Sequence, residues 1–376
     1  MRFSAKTDRV SKARLLVLSV GTQVGQNVLA TLAGRRADLE LIATSTVANE
    51  PAVFDYDVVY LAPPTAAEPE AFERRVLDIV QREQIDLVIP CRDDDVAFLA
   101  ALRDRRPDLA PRLLSGSGAM AQVIGDKWLS AEFCLKHGLP FAPSIIQCGR
   151  DQGAAFVHEH GFPLIAKPRR GYASQEVYLI FNGDQFERVL TRDGWIVQKF
   201  LGDPKSVGDF LAGIEANGVP LYHTFQGLKH SIQALIDPSG EVARVICTRN
   251  ISQRRRSKWV EPDLDPESAH IGTRCAQAFA AEGWRGPLNI QCQKTADGQL
   301  LIHEFNGRFT GATVDRWLLG YDEVGIVVEQ FTGHRIHSDR KHATASLEAF
   351  ESLVARGANP RFVESLSRDR VWRRAT

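Results

Sequence analysis

The stretch from 288 to 309, LNIQCQKTADGQLLIHEFNGRF, leaves the chain few choices of fold. Polar and apolar residues alternate on both sides of Asp297-Gly298, a dipeptide suited to a two-residue type I′ turn, and this predicts a β-hairpin. With Asp297 and Gly298 as the loop, Ala296 faces Gln299, Gln291 faces Glu304 and Asn289 faces Asn306. Directly opposed residues point to one face with Cβ atoms roughly 4.5–5.5 Å apart, and residues two apart on a strand share that face. Gln291, Glu304 and Asn306 therefore converge. One carboxylate with two neutral amide oxygens is a hard-oxygen set, suited to Mg²⁺ that keeps waters and takes its other ligands from nucleotide phosphates. Glu304 is placed to bridge two ions. A solvent-facing polar strand pair would have the same composition, and a four-residue loop or a bulge would shift the register and break the pairing.

Ahead of the hairpin the pattern changes along the chain. From Arg14 an apolar run (LLVLSV) leads through GTQVG into a helical run (QNVLATLAG) and a second apolar stretch (LELIATS). VVYLAP, AAEPEAFERRVLDIVQREQ and DLVIPCRDDDVAFLAAL repeat the alternation, which predicts a parallel α/β, Rossmann-like domain over residues 13–125 after a loose tail at 1–12. Gly21 and Gly25 are four apart, so the G-x-G-x-x-G spacing of a dinucleotide loop is absent, and a strand-to-helix turn accounts for them. A short helix, DKWLSAEFCLKHG, stops at Gly138 with Pro140 beyond. Strand-like runs punctuated by Pro and Gly follow (FPLIAKP, EVYLIF, GWIVQKFLG, EVARVICTRNIS), with helices nearer 268–283 and 314–333, and predict an α+β region over 126–335. Residues 336–376 hold one helix and an Arg-rich end.

Composition narrows the partners. Lys plus Arg and Asp plus Glu are both 46, so no global field favours a polyanion and nucleic acid is not expected. The 6 cysteines form no CxxC pair, which suits reduced thiols in a cytoplasmic protein. No apolar run approaches the ~18 residues that span a bilayer, so no membrane partner is expected. His158 and His160 lack partners at metal-ligand spacing and read as surface residues.

Gln291 together with HEFNGRFTG resembles the glutamine and E-x-N-P-R metal motif of the ATP-grasp superfamily, in particular its carbamoyl-phosphate-synthetase-like branch, with Arg308 matching the arginine. GDKWLSAEFCLKHGLP resembles that family's first nucleotide-binding segment with Lys127, FPLIAKPRRGYASQEV the second with Lys167, and WIVQKFLG the adenine hinge. The likeness runs from about residue 14 to 335. It implies an α/β N-terminal Rossmann-like domain followed by an α+β ATP-grasp fold, two subdomains clamping ATP, with a small lid subdomain about 140–197. Lys127 and Lys167 are then expected at the phosphates, Ser174 in the phosphate-covering loop, and Gln198, Lys199 and Leu201 beside adenine. The position that commonly holds a ribose-binding glutamate carries Lys205. Two other positions depart from the family: RRGYAS has a single glycine, and Gly307 replaces the proline of the metal motif.

The resemblance further implies an ATP- and Mg²⁺-dependent carboxylate–amine ligase with two magnesium ions, manganese being the alternative. The γ-phosphoryl group would pass to a substrate carboxylate, and the acyl phosphate would be attacked by an amine, releasing ADP and phosphate. Arg308 is expected to stabilise the transferring group, and Arg249, in RVICTRNISQRRRSKW, to steady the acyl phosphate or an acidic substrate. Arg254, Arg255, Arg256 and Lys258 extend that basic run. Loop 168–174 is a candidate lid. Expected partners are a small-molecule carboxylate and an amine, with room for a homodimer. A nucleotide-binding sensor that kept the fold and lost turnover is the alternative.

Overall fold

The parallel sheet is not assembled from one continuous segment, because the chain leaves it after its fourth strand and returns to it near its end. The computed structural model describes residues 12–50, 52–171, 176–219, 228–253, 257–336, 348–350 and 357–375. Two units emerge. The first contains the described residues up to 114, those from 309 to 336 and those from 357 on, and the second contains those from 115 to 308 and from 348 to 350.

The first unit begins with β1 (Ala13–Val17), α1 (Gln23–Thr31), β2 (Leu39–Ser45), β3 (Val58–Leu61), α2 (Pro69–Arg82), β4 (Leu87–Ile89) and α3 (Asp93–Arg105). β1 pairs in parallel with β2 and β4, and β2 with β3. Leu15, Leu16 and Val17 are all fully buried, the signature of a strand covered on both faces. The GTQVG turn is held by the chain's own groups. Thr22 caps α1 by accepting from Gly25 N–H at 3.2 Å, and a Cβ at Gly25 would lie 2.6 Å from Val20 Cα, so only glycine lets the helix start this close to the strand.

The second unit opens with α4 (Gly118–Gly125) and α5 (Lys127–Lys136), then β5 (Ser144–Ile145), α6 (Arg150–His160), β6 (Leu164–Pro168), β7 (Tyr178–Ile180), α7 (Gly183–Leu190), β8 (Trp195–Lys199) and α8 (Pro204–Asn217). Next come β9 (Lys229–Ile236), β10 (Val242–Gln253), β11 (Ser257–Pro262), α9 (Pro266–Ala281), β12 (Gly286–Lys294) and β13 (Leu300–Asn306). The chain then forms α10 (Thr313–Leu318), α11 (Glu323–Thr332), β14 (Ala349–Phe350), α12 (Pro360–Asp369) and β15 (Val371–Arg373). Two antiparallel sheets result, ordered β5-β8-β6-β7 and β13-β12-β9-β10-β11-β14, with α9 packed on β9 and β10. Gly272 permits that packing, since a Cβ there would fall 2.5 Å from Ile232 Cγ2 and 2.7 Å from Val245 Cγ1. β15 returns to the first unit and extends the parallel sheet antiparallel to β3.

The β12–β13 hairpin forms with two deviations from the expected register. Gly298 N–H donates to Thr295 O and Thr295 N–H to Gln299 O, both at 2.9 Å, so the loop is the three residues Ala296–Gly298, with Gly298 at φ 88. Near the turn Lys294 therefore pairs with Leu300 and Cys292 with Ile302. A bulge at His303 then inserts one extra residue in β13 and restores the expected partners, Gln291 with Glu304 and Asn289 with Asn306. Each deviation alone would have separated Gln291 from Glu304. Together they cancel.

Candidate active site

Strand alternation sets which side chains of the second unit face one cavity of about 190 Å³. On β9 and β12 the polar positions Lys229, Ser231, Gln291 and Gln293 share a face, while His230, Ile232, Ile290 and Cys292 point to the other. On β6, Leu164 and Ala166 fill the small sheet's core and Ile165 and Lys167 turn to the cavity. Gln198, opposite Ile165, Lys199 and Leu201 complete this side.

Lys127 enters from the first turn of α5. Asp126 caps that helix by accepting from Trp128 N–H at 3.0 Å, and its carboxylate is also held by Arg169 at 3.0 and 2.9 Å. Burial pushes the Asp126 carboxyl up, but the arginine and the helix N–H groups outweigh it and keep it below the usual range. Lys127 Nζ donates to Gly171 O at 3.2 Å and lies 4.0 Å from Glu304 Oε1. Lys167, 7% exposed, donates to His303 O at 3.4 Å. Burial lowers its pKa to about 8; Glu304 opposes this, and Lys127 and Lys229 reinforce it. Burial and the same three lysines hold the His303 imidazole well below its ordinary value, which keeps it neutral.

Glu304 and Gln291 face each other across the hairpin, and neither side chain makes a hydrogen bond among the described residues. Asn306, two residues beyond Glu304, accepts from Arg308 Nη2 through Oδ1 at 3.1 Å, and its Nδ2 is buried without a partner among the described residues. Gln291, Glu304 and Asn306 offer one carboxylate and two amide oxygens, a set whose chemistry fits a divalent cation, and the lysines near Glu304 fit a polyphosphate.

Lys127, Lys167, Gln198, Lys199, Leu201, Gln291 and Glu304 line one cavity; Asn306 ends β13 and Arg308 lies two residues past it, and neither is among the residues that line the cavity. Lys205 does not join them. It is exposed on the first turn of α8, where Asp203 caps its N–H at 2.9 Å. Arg249 requires a correction. It pairs with His230, on the sheet face turned away from Gln291 and Glu304, and forms a 2.8 Å ion pair with Glu261, so it does not reach this cavity. Ser174, Arg254, Arg255 and Arg256 lie outside the described residues, as does the side chain of Lys258.

Sequence reasoning missed Lys229 and His303. The alternation Lys229, Ser231, Gln233 in an apolar strand marked the first. The adjacent polar pair His303-Glu304, breaking the period of LLIHEFN, marked the second as a bulge.

No protein-family profile and no curated protein matches this sequence. Solved structures do. The biotin carboxylase domain of Hydrogenobacter thermophilus 2-oxoglutarate carboxylase, determined with MgADP, ADP and bicarbonate, superposes with a TM-score of 0.60 at 16% identity over 88% of this chain and 71% of that one. N5-carboxyaminoimidazole synthetase from Staphylococcus aureus gives 0.61 at 12% identity over 87% and 79%. L-amino acid ligase from Bacillus licheniformis gives 0.58 at 15% identity over 85% and 74%. This chain shares the fold of these enzymes, the ATP-grasp fold.

Proposed function

We propose that the protein is an ATP- and Mg²⁺-dependent ligase that joins a small carboxylate to an amine through an acyl phosphate, releasing ADP and phosphate. The observation that carries this reading is the meeting of Lys127, Lys167 and Glu304 opposite Gln291 in one cavity, two cations for phosphate beside an oxygen set for a metal. Similar folds in a carboxylase domain bound to MgADP and in an amino acid ligase support it.

Gln291, Glu304 and Asn306 would hold Mg²⁺, with Mn²⁺ as a substitute, and the ion would neutralise charge on the nucleotide phosphates. Lys127 and Lys167 would contribute point charges that bind the same phosphates. Gln198, Lys199 and Leu201 form the wall suited to the base, with Leu201 covering it and Gln198 fixed by its 2.9 Å bond to Ser144 Oγ. Arg308, next to Asn306, is the cation for charge developing on the transferred phosphoryl oxygens. The neutral His303 adds no charge to a crowded set of ammonium groups. The carboxylate oxygen attacks the γ-phosphorus as the bond to ADP breaks, and the amine nitrogen then attacks the acyl carbon, expelling phosphate and losing a proton.

Pools of small acids and amines incubated with ATP and Mg²⁺, read by ADP release and product mass, test this. ADP formation that needs both an acid and an amine is expected. Tight nucleotide binding with no acid-dependent ADP release over a broad panel would instead favour the nucleotide sensor.

A further inference from the structure

The nucleotide cavity holds more positive charge than Lys127 and Lys167 bring to it. Lys199 and Lys229 also line it, and Glu304 is the one carboxylate among its described lining residues. The ammonium groups divide between two places. The charge of Lys199 is felt at His160 and Asp297, whereas those of Lys127 and Lys229 are felt together at Lys167 and His303. Lys127, Lys167 and Lys229 therefore form one cluster, reaching the cavity from α5, β6 and β9.

Strand alternation places Lys229. Ser231 pairs with Gln291 and His230 with Cys292, and His230 and Cys292 point to the sheet's other face. Lys229, two residues before Ser231, returns to the face of Gln291 and sits about 7 Å along β9 from the residue opposite it. On that face Gln291 meets Glu304 across the hairpin, and Lys127 Nζ lies 4.0 Å from Glu304 Oε1. Lys229 thus comes to the cluster from the large sheet, on the strand next to the hairpin, while Lys167 comes from the small one.

Like charges gathered around a single carboxylate repel one another. Lys127 Nζ donates to Gly171 O and Lys167 Nζ to His303 O, but a carbonyl solvates an ammonium without cancelling its charge, and the neutral His303 adds no anion. A ligand with several adjacent negative groups removes that repulsion, and a phosphate chain has them where a base, a ribose or a single carboxylate does not. We propose that Lys229 is a third ammonium for the phosphates of the nucleotide, working beside Lys127 and Lys167. This rests on the ATP reading of the cavity and adds to it a phosphate-binding residue on β9.

Calorimetric titration of ATP and of adenosine into the full chain with Mg²⁺, in wild type, Lys229→Met and Lys229→Arg, tests the assignment. Lys229→Met is expected to raise the ATP dissociation constant about tenfold or more, as for loss of a bond to a charged group, and to leave that of adenosine unchanged. Lys229→Arg keeps the charge and should recover most of the ATP affinity. Urea unfolding of the unliganded variants separates binding from folding, since removing one of several like charges should leave stability equal or higher. Where Lys229→Met is destabilised, Lys229→Gln against Lys229→Arg makes the same comparison. ATP binding by Lys229→Met as tight as by the wild type overturns the proposal. So does an equal loss of ATP and adenosine affinity, which would place Lys229 at the base or in the fold. Wild type that binds no ATP would instead overturn the nucleotide reading itself, and the role of Lys229 with it.

Discussion

Replacing Lys167 by methionine separates what this residue does for the fold from what it does for a ligand. Its ammonium is buried, and burial, opposed by Glu304 and reinforced by Lys127 and Lys229, takes its pKa from 10.5 to about 8. The unfolded chain titrates at the ordinary value. Below pH 8 both states hold the proton, so the folded state bears a buried charge. At about 1.4 kcal/mol per pH unit the gap corresponds to about 3 kcal/mol of destabilisation at neutral pH. Between pH 8 and 10.5 the folded protein releases the proton while the unfolded chain keeps it, and the cost fades as pH rises. Methionine removes the charge at similar volume. It also removes the Nζ bond to His303 O, at a cost of about 1 kcal/mol, and leaves Glu304 paired with Lys127. The expected result is a variant more stable than wild type by about 2 kcal/mol at neutral pH, with the difference disappearing toward pH 10. Urea denaturation of both proteins across that range, with unchanged m-values, measures it. A variant less stable at neutral pH, or a difference that does not vary with pH, refutes the reasoning. Lys167→Met should also bind ATP poorly, so the stability it gains is a measure of the strain the site carries for binding.

Two other substitutions probe the fold. Arg316 and Glu323 are fully buried and paired at 2.8 Å, with Thr310 Oγ1 a further partner of the arginine at 2.8 Å, so Glu323→Gln leaves an uncompensated charge and should lower stability by about 3–5 kcal/mol in chemical denaturation. Gly272→Ala drives a methyl group into Ile232 and Val245 beneath α9 and should cost about 1–3 kcal/mol, read as a lower melting temperature; an unchanged value would mean that α9 can lift from the sheet freely.

The parts of this structure that depend on local period were legible in the sequence. β1, β3 and β4 are each followed by a helix because each apolar run is short and leads into a helical face, and the capped start of α5 follows from Asp126. Pairing between distant strands was not. The face on which Arg249 lies is decided by its register with His230 on β9, and nothing within RVICTRN distinguishes one face from the other. The β15 strand, VWR, is too short to show a period, so its return to β3 is carried by tertiary contacts such as Val371 opposite Tyr60. Arg316 and Glu323 are residue types that usually face solvent, and their complete burial follows from partners seven residues apart meeting across the α10–α11 turn. At the hairpin the expected pairing of Gln291 with Glu304 stands although the turn has a different length, because the His303 bulge offsets it.

The most direct test of the central claim is calorimetric binding of ATP to wild type and Glu304→Gln, each with Mg²⁺ and with a chelator. If Gln291, Glu304 and Asn306 hold the cation beside the phosphates, Mg²⁺ strengthens ATP binding to the wild type, and the variant loses that increment, about tenfold or more in affinity. An equal Mg²⁺-dependent increment in both proteins would contradict the account and place the cation elsewhere.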